Sequence, residues 1–567
     1  MLLRNLASFG ASLARVLLVP PHAGQSPITV PQWSRFSMSY PLSSDPLIRL
    51  VKLIYLLTGG VAFLGTWSAT AAAATPSSAI GQWALFEGQV THPASPADPL
   101  REVELITEFT APDGKVTKFW GFYDGGANWR YRFSPDQLGR WRYQARFLDG
   151  AAQVVGEFEC VASDLPGPLT RGEANPVWFA TKAGGPLVVR SFHVGDRFFA
   201  ENTPAATRSA FLDWAQATGY NMLSIASHYL NRNSPGRGQG WITPQLWDAK
   251  TKSVLPAEYH KAEAILDEVR AHRFYVYPFA GFIGRHSQFP TDPADQELYL
   301  RYTIARFAPY WNVLLNVSGP EPLWKPEGYY NRMPFAEVNR LGELIHRLDP
   351  FGRLLSVHNA SGDDPFRFYP WGSYTTLQGG PAEKSDNYLA LHNFLYRNQT
   401  GDRPVFAQEV LWSGNFLHSA LTPDQVRRKA LVMLFAAATI NFADMDGDSS
   451  SGFSGTLDLA HCHPPMHAAI KSAWDFFSRL PFGRLKPTWD VAKRGVCLAD
   501  GEREYWVYLV KGGATEFGAA FPSGWRGEWL SPEDQKAASV ATWVEGQKEF
   551  TPPPAFAGDV VLHLWRE

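Results

Sequence analysis

Two glutamates stand where apolar, strand-like runs give out. Glu409 lies in Pro404-Val405-Phe406-Ala407-Gln408-Glu409-Val410-Leu411-Trp412, which follows the turn Gly401-Asp402-Arg403-Pro404 and yields to Ser413-Gly414-Asn415. Glu321 follows Trp311-Asn312-Val313-Leu314-Leu315-Asn316-Val317 through Ser318-Gly319-Pro320. Runs of that length with those flanks read as buried strands rather than core helices. Two strand-end carboxylates suit glycosidic bond cleavage, which needs one carboxylic acid kept protonated near neutral pH and one carboxylate kept ionised. Pro320, Pro322, Leu323 and Trp324 surround Glu321 with apolar groups that would raise its pKa and suit it to be the protonated acid, while Glu409 would stay charged. Each glutamate could instead be a strand-end ion pair with an arginine. A retaining double displacement would set the two carboxyl groups about 5–5.5 Å apart.

Further polar side chains fall at expected strand ends: His193 after the first, His228 after the second, Arg285 beyond the third, His358 and Asn359 after the fifth, Gln378 after the sixth, Asp444 and Asp446 after the eighth. With Trp241, Trp324, Trp371 and Trp412 they are candidates for holding substrate, since flat aromatic faces suit sugar rings as well as they suit packing. They converge only if the strands close into one barrel, and each alone is equally a satisfied structural residue. His461-Cys462-His463 with His467 has metal-like spacing, but Pro464 and Pro465 interrupt it and no carboxylate pattern completes it. A loop role is expected there, with no metal and no cofactor. A metal-assisted hydrolase built on His193, His228 and Asp444 lacks the HxH or HExxH spacing that would support it.

Positioning such groups requires a parallel array. Between residues 175 and 485 apolar runs alternate with amphipathic stretches. Strands are expected at 187–192, 221–226, 274–279, 313–317, 354–357, 374–377, 405–408 and 437–442, and helical faces at Ala262, Ile265, Leu266 and Val269 and at Val338, Leu341, Leu344 and Ile345. Eight strands with helical crossovers have the rhythm of a (β/α)₈ TIM barrel, which keeps its chemistry at the C-terminal strand ends. A doubly wound sheet is the alternative, but no Gly-rich phosphate fingerprint follows the first strand. Residues 80–166 alternate with period two between turns at Pro112-Asp113-Gly114, Asp124-Gly125-Gly126 and Asp149-Gly150, and read as a β-sandwich. Residues 486–567 are strand-like again and read as a second, small β-sandwich.

The chain has 567 residues, too many for one ordinary domain. Its 52 Lys and Arg against 54 Asp and Glu leave a formal charge of −2, which offers no field for nucleic acid or anionic lipid, and a carbohydrate substrate is the partner expected. Cys160, Cys462 and Cys497 fall in three different units, so no disulfide framework follows. Arg49 and Lys52, the apolar run 53–67 and the small residues 68–74 follow the order of a secretory signal. Residues 1–75 are therefore expected to be a targeting region, with Met38 as an alternative start. The protein is expected to be secreted, periplasmic or at the cell surface, meeting a membrane only if that segment stays uncleaved.

Trp83-Ala84-Leu85-Phe86-Glu87 and Phe119-Trp120-Gly121-Phe122-Tyr123-Asp124-Gly125 resemble a leading Ig-like domain. Phe192-His193, Gly219-Tyr220-Asn221 and Asn312-Val313-Leu314-Leu315-Asn316-Val317-Ser318-Gly319 resemble the (β/α)₈ barrel of apiosidase-like glycoside hydrolases, related to clan A. The strand-like end resembles the collagen-binding-type β-domain found behind such barrels. The resemblance covers residues 80–567 and implies an acid/base after strand four and a nucleophile after strand seven, positions that Glu321 and Glu409 match. Clan A usually sets Asn before the acid/base. Pro320 stands there, with Asn316 further back, so the usual contact to the substrate 2-hydroxyl does not carry over. A secreted glycoside hydrolase of carbohydrate metabolism is thus expected, and the alternative is a non-catalytic extracellular polysaccharide-binding protein with a degenerate barrel.

Overall fold

The computed structural model describes residues 79–566 apart from 195, 226–241, 279–288, 319–332, 360–361, 381–385, 414–419, 445–456, 458, 460–461, 534–540 and 557. The expected targeting region 1–75 lies outside the described residues. What is described is a multi-sheet, mostly β molecule with helices packed around a central parallel array.

Period-two alternation at the N-terminal end produces two sheets. One runs in the order Ala79–Gly81, Gln153–Val161, Gly139–Phe147, Leu105–Thr110, Val116–Trp120, and the other Phe86–Thr91, Asn128–Phe133, Phe122–Gly125. Their apolar residues share one aromatic core, in which Phe86 stacks on Phe158 at 4.6 Å and Phe109 on Phe133 at 4.2 Å, so that each pair spans the two sheets.

The central region carries the parallel strands Arg190–Val194 (β1), Met222–Ile225 (β2), Tyr275–Pro278 (β3), Leu315–Asn316 (β4), Leu355–Ser356 (β5), Thr375–Gln378 (β6), Val405–Ser413 (β7) and Ala438–Asp444 (β8). The order β3-β2-β1-β8-β7-β6 makes a curled six-stranded sheet, and β4 pairs with β5. Backbone hydrogen bonds reach across on both sides: Val276 N donates to Asn312 O at 2.7 Å, and Ser373 N, ahead of β6, donates to Leu355 O at 2.8 Å. Helices Ala205–Thr218 (α1), Pro256–Ala271 (α2), Pro293–Phe307 (α3), Phe335–Leu348 (α4), Tyr388–Tyr396 (α5), Pro423–Phe435 (α6) and Pro464–Phe477 (α7) follow every strand but β5. Ala262, Ile265, Leu266 and Val269 of α2, and Val338, Leu341, Leu344 and Ile345 of α4, are buried in one core with the strands' outward residues.

Local chemistry sets the joins. α1 ends at Gly219, whose φ of 94° is a left-handed conformation that residues with a Cβ avoid. Asn221 then accepts from Arg190 N at 2.7 Å and donates to Val188 O at 3.0 Å, tying β2 to β1 where their ladder starts. Thr422 and Gln425 form a capping box around Pro423 at the start of α6.

Inward side chains of the parallel strands, with Trp311 ahead of β4 and Tyr374 just before β6, form an aromatic floor of Tyr275, Tyr277, Trp311, Tyr374 and Phe406. A small antiparallel sheet ahead of β1, built on Leu169–Arg171 and Phe179–Thr181, closes it: Phe179 meets Tyr374 edge-on at 5.8 Å, and Tyr275 OH donates to Gly167 O at 2.8 Å. At the C-terminal end the antiparallel order is Lys486–Thr488, Val496–Asp500, Glu504–Leu509, Val560–Arg566, Trp525–Leu530, Thr542–Trp543. This sheet packs on α6, with Tyr508 5.6 Å from Phe435. Cys160, Cys462 and Cys497 are buried, and no disulfide joins them.

Candidate functional site

The run around Glu409 predicts a strand ending at Gln408 with the glutamate at its mouth. Instead β7 continues to Ser413 and Glu409 lies within it, because the pairing with β8 slips. Ala407 faces Ile440 and Leu411 faces Phe442, so Gln408, Glu409 and Val410 together oppose Asn441 alone. Such bulges re-aim side chains beside active sites. Here the alternation breaks and consecutive residues reach the interior. Gln408 Nε2 donates to Ser224 Oγ in β2 at 3.0 Å, and Glu409 Oε1 comes to 3.8 Å from His358 Nε2 just past β5. The bulge diverts the Gln408 carbonyl from the ladder, and Asn441 Nδ2 donates to it at 2.9 Å. Ser191 Oγ in turn donates to Asn441 Oδ1 at 2.8 Å.

Above the aromatic floor the interior is polar. Ser191, Ser224, Ser356, Thr376, Gln408 and Asn441 are buried, with Ser356 and Thr376 hydroxyls 2.9 Å apart. Glu409 is 7 % exposed. Burial drives the His358 pKa down to about 3, with His193 adding to the effect, so His358 is neutral at physiological pH and its approach to Glu409 is not an ion pair. Burial, reinforced by the charge of Glu409, raises the Tyr277 phenol far above its usual range, although its bond to Thr376 opposes the rise, leaving it a neutral hydroxyl. His193 is buried against Trp412, ring centroids 5.1 Å apart. Gln378 faces Glu409 in the β6–β7 register, and Gly379 N donates to Glu409 O at 2.7 Å.

The structure therefore gathers His193, His358, Gln378, Glu409 and Trp412. It does not gather the other described candidates. Asn359, one residue past inward-facing His358, donates from Nδ2 to Asp364 Oδ1 at 2.9 Å in the β5–β6 connection. Burial pushes the Asp364 carboxyl up to about 7. Trp371 is buried on α4, donating to Asn339 Oδ1 at 2.9 Å. Asp444 shares the outward face of β8 with Phe442 and turns to α7. Its carboxylate accepts from His463 N at 2.7 Å, His463 Nδ1 at 2.9 Å and His467 Nε2 at 3.0 Å. Burial works against ionisation of Asp444, but these bonds outweigh it and hold the carboxyl below its usual range. His467 also meets Tyr220 OH at 2.6 Å, so His463 and His467 of the metal-like run fasten α7 to β8, while His461 lies outside the described residues. Among the described residues no group of three His, Cys, Asp or Glu could hold a metal ion. His228, Arg285, Glu321 and Trp324, with Trp241 and Asp446, lie outside the described residues.

Sequence patterns did not single out Ser191, Ser224, Tyr277, Gln408 or Asn441. Their signal is the recurrence of polar residues two apart within apolar strands, as in Ser191-Phe192-His193, Ser356-Val357-His358 and Thr376-Leu377-Gln378.

Residues 79–148 match a family model described as a domain of unknown function (DUF5060). No curated protein matches the chain. Among solved structures, a Bacteroides vulgatus ATCC 8482 protein provisionally described as a glycoside hydrolase aligns over 87 % of this chain and 100 % of its own, with a TM-score of 0.68 at 16 % identity. A structure described as a glycoside hydrolase aligns over 71 % of this chain and 99 % of its own, at TM-score 0.54 and 15 % identity. A family 5 glycoside hydrolase from Bacteroides vulgatus ATCC 8482 aligns over 71 % and 95 %, at TM-score 0.54 and 16 % identity. At these identities the likeness is one of fold: the structural neighbours of this chain are glycoside hydrolases.

Proposed function

We propose that the chain is a retaining glycoside hydrolase acting on the O-glycosyl bonds of a polysaccharide or oligosaccharide. In this reading the eight parallel strands form a (β/α)₈ barrel between two β-sandwiches, Glu409 is the nucleophile and Glu321 the acid/base. The observation that carries it is the bulge in β7, which commits a buried carboxylate to a polar interior in a chain folded like glycoside hydrolases. Glu409 would attack the anomeric carbon as the Glu321 carboxylic acid protonates the leaving oxygen. Glu321, now the base, would then take a proton from the water that releases the sugar. Neutral His358 does not tie Glu409 up in an ion pair. Residues 1–75 would direct export.

The test is a panel of plant and microbial polysaccharides and aryl glycosides, followed by variants on whichever substrate is cut. Glu409→Gln should lose several orders of magnitude on every substrate. Glu321→Ala should keep its first step on an activated aryl glycoside, lose natural substrate, and be rescued by azide with retained configuration. Equal loss on both substrates without rescue would remove Glu321 from the acid/base role.

A further inference from the structure

Away from the polar interior around Glu409, the C-terminal sheet gathers charged and aromatic side chains at one edge. Strands Glu504–Leu509, Val560–Arg566 and Trp525–Leu530 are neighbours in register, and their ends bring like charges together. Arg566 N donates to Arg503 O at 2.9 Å, and Arg566 faces Trp525 on the next strand. Arg503 lies two residues before Tyr505, and Arg566 two residues after Leu564. Tyr505, Leu564 and Trp525 all belong to the core on the face turned away from α6, so both guanidinium groups extend on that face. Like charges opposite one another across strands are destabilising unless something neutralises them. Neither side chain makes a hydrogen bond or ion pair with another described residue, and both are exposed.

This pair stands at the rim of a cleft of about 750 Å³. Its lining includes Glu502, Arg503, Arg566, Tyr505, Phe521 and Trp525. Tyr505 and Trp525 are stacked at 5.6 Å with 18° between planes, and Phe521 closes on Trp525 at 4.9 Å. Tyr505 is part-exposed, whereas Phe521 and Trp525 are buried and supply a rigid apolar wall. An apolar wall beside two planar cations that have no side-chain partner among the described residues, with one carboxylate at the turn, suits a ring that carries its own anionic group, because a guanidinium fork matches a carboxylate in two parallel bonds. The geometry points to a binding site for an acidic polysaccharide, with a uronate-type residue seated against Tyr505 and its carboxylate on Arg503 and Arg566.

Affinity electrophoresis of the full chain as Glu409→Gln, which spares the polymer, tests this with polygalacturonate and with neutral hydroxyethylcellulose in the gel. The acidic polymer should retard the protein and the neutral one should not. Arg503→Ala/Arg566→Ala should weaken the apparent affinity at least tenfold, the scale of one lost charge-assisted contact, with no fall in melting temperature. A control that removes two exposed arginines elsewhere, Arg140→Ala/Arg142→Ala, should bind as the parent does. Absence of retardation by the acidic polymer, equal retardation by the neutral one, undiminished binding in the Arg503/Arg566 variant, or an equal loss in the control would each overturn the site.

Discussion

Asn441 is the residue through which the catalytic reading can be probed without touching a carboxylate. It holds the Gln408 carbonyl, and so the bulge that aims Glu409. Asn441→Ala should lower kcat about a hundredfold with little change in KM, as expected of a group acting only on the aim of the nucleophile. Asn441→Asp keeps an acceptor for Ser191 but loses the donor, so it should be as slow. Parallel losses in kcat, KM and melting temperature would instead mean that Asn441 merely holds the strand. Buried titratable residues make a second prediction. His358 and His392 have folded pKa values of about 3 and about 4, each driven down by burial, against 6.5 unfolded. The unfolded chain therefore takes up their protons first as pH falls. Stability is full above pH 6.5 and declines toward pH 3–4, each group contributing about 1.4 kcal/mol per pH unit. Asp364 runs the other way: its raised pKa stabilises below pH 3.8, and that contribution is lost as pH rises through 7. Urea midpoints from pH 4 to 8 should show a flatter acid limb in His392→Gln and a gain above pH 7 in Asp364→Asn. At this scale the strand that carries Glu409 is legible in the sequence but the bulge is not, since Gln-Glu-Val has no glycine to betray a break in pairing.

Period marks the elements that bury one face. The 3.6-residue spacing of Val338, Leu341, Leu344 and Ile345 follows from which face of α4 must be buried, and that face is buried. Period fails where pairing alone defines an element: β4 and β5 shrink to Leu315–Asn316 and Leu355–Ser356, and turns rather than a helix join β5 to β6. The end of α1 offers a direct test. A Cβ at Gly219 would meet only Arg190 Nη1 and Lys471 Cε at an ordinary 3.5 Å, so the cost of Gly219→Ala comes from φ alone. It should be about 1–2 kcal/mol by chemical denaturation, with the β1–β2 pairing retained.

The units are fastened to one another by charges that no local pattern reveals. Arg306 of α3 is 0 % exposed and clasps Glu263 of α2, Nε to Oε1 at 2.7 Å and Nη2 to Oε2 at 2.9 Å. From the N-terminal sheets, Arg132 reaches Glu263 at 2.6 Å and Asp124 reaches Arg306 at 2.9 Å. Burial disfavours the Glu263 charge, yet the two guanidinium groups prevail and hold its carboxyl down at about 2. Glu263→Ala would leave Arg306 buried with only Asp124 and Arg132 buried with only Glu87. The expected loss is about 3–5 kcal/mol, with calorimetry splitting one unfolding transition into two as the N-terminal sheets come free. The pairs that join the sheets to the helices, Arg132 with Glu263 and Asp124 with Arg306, are 131 and 182 positions apart in the chain, beyond the reach of any window of sequence.

The small sheet ahead of β1 changes where the gene can be cut. Composition places the start of the parallel region near residue 175, yet Leu169 and the Gly167 carbonyl already belong to its floor. A clone beginning at 175 would keep Phe179 without its strand partner at Leu169–Arg171 and strip the acceptor from a buried tyrosine. One beginning at Leu165 would carry its own base plate, and of the two it is the one expected to yield soluble protein.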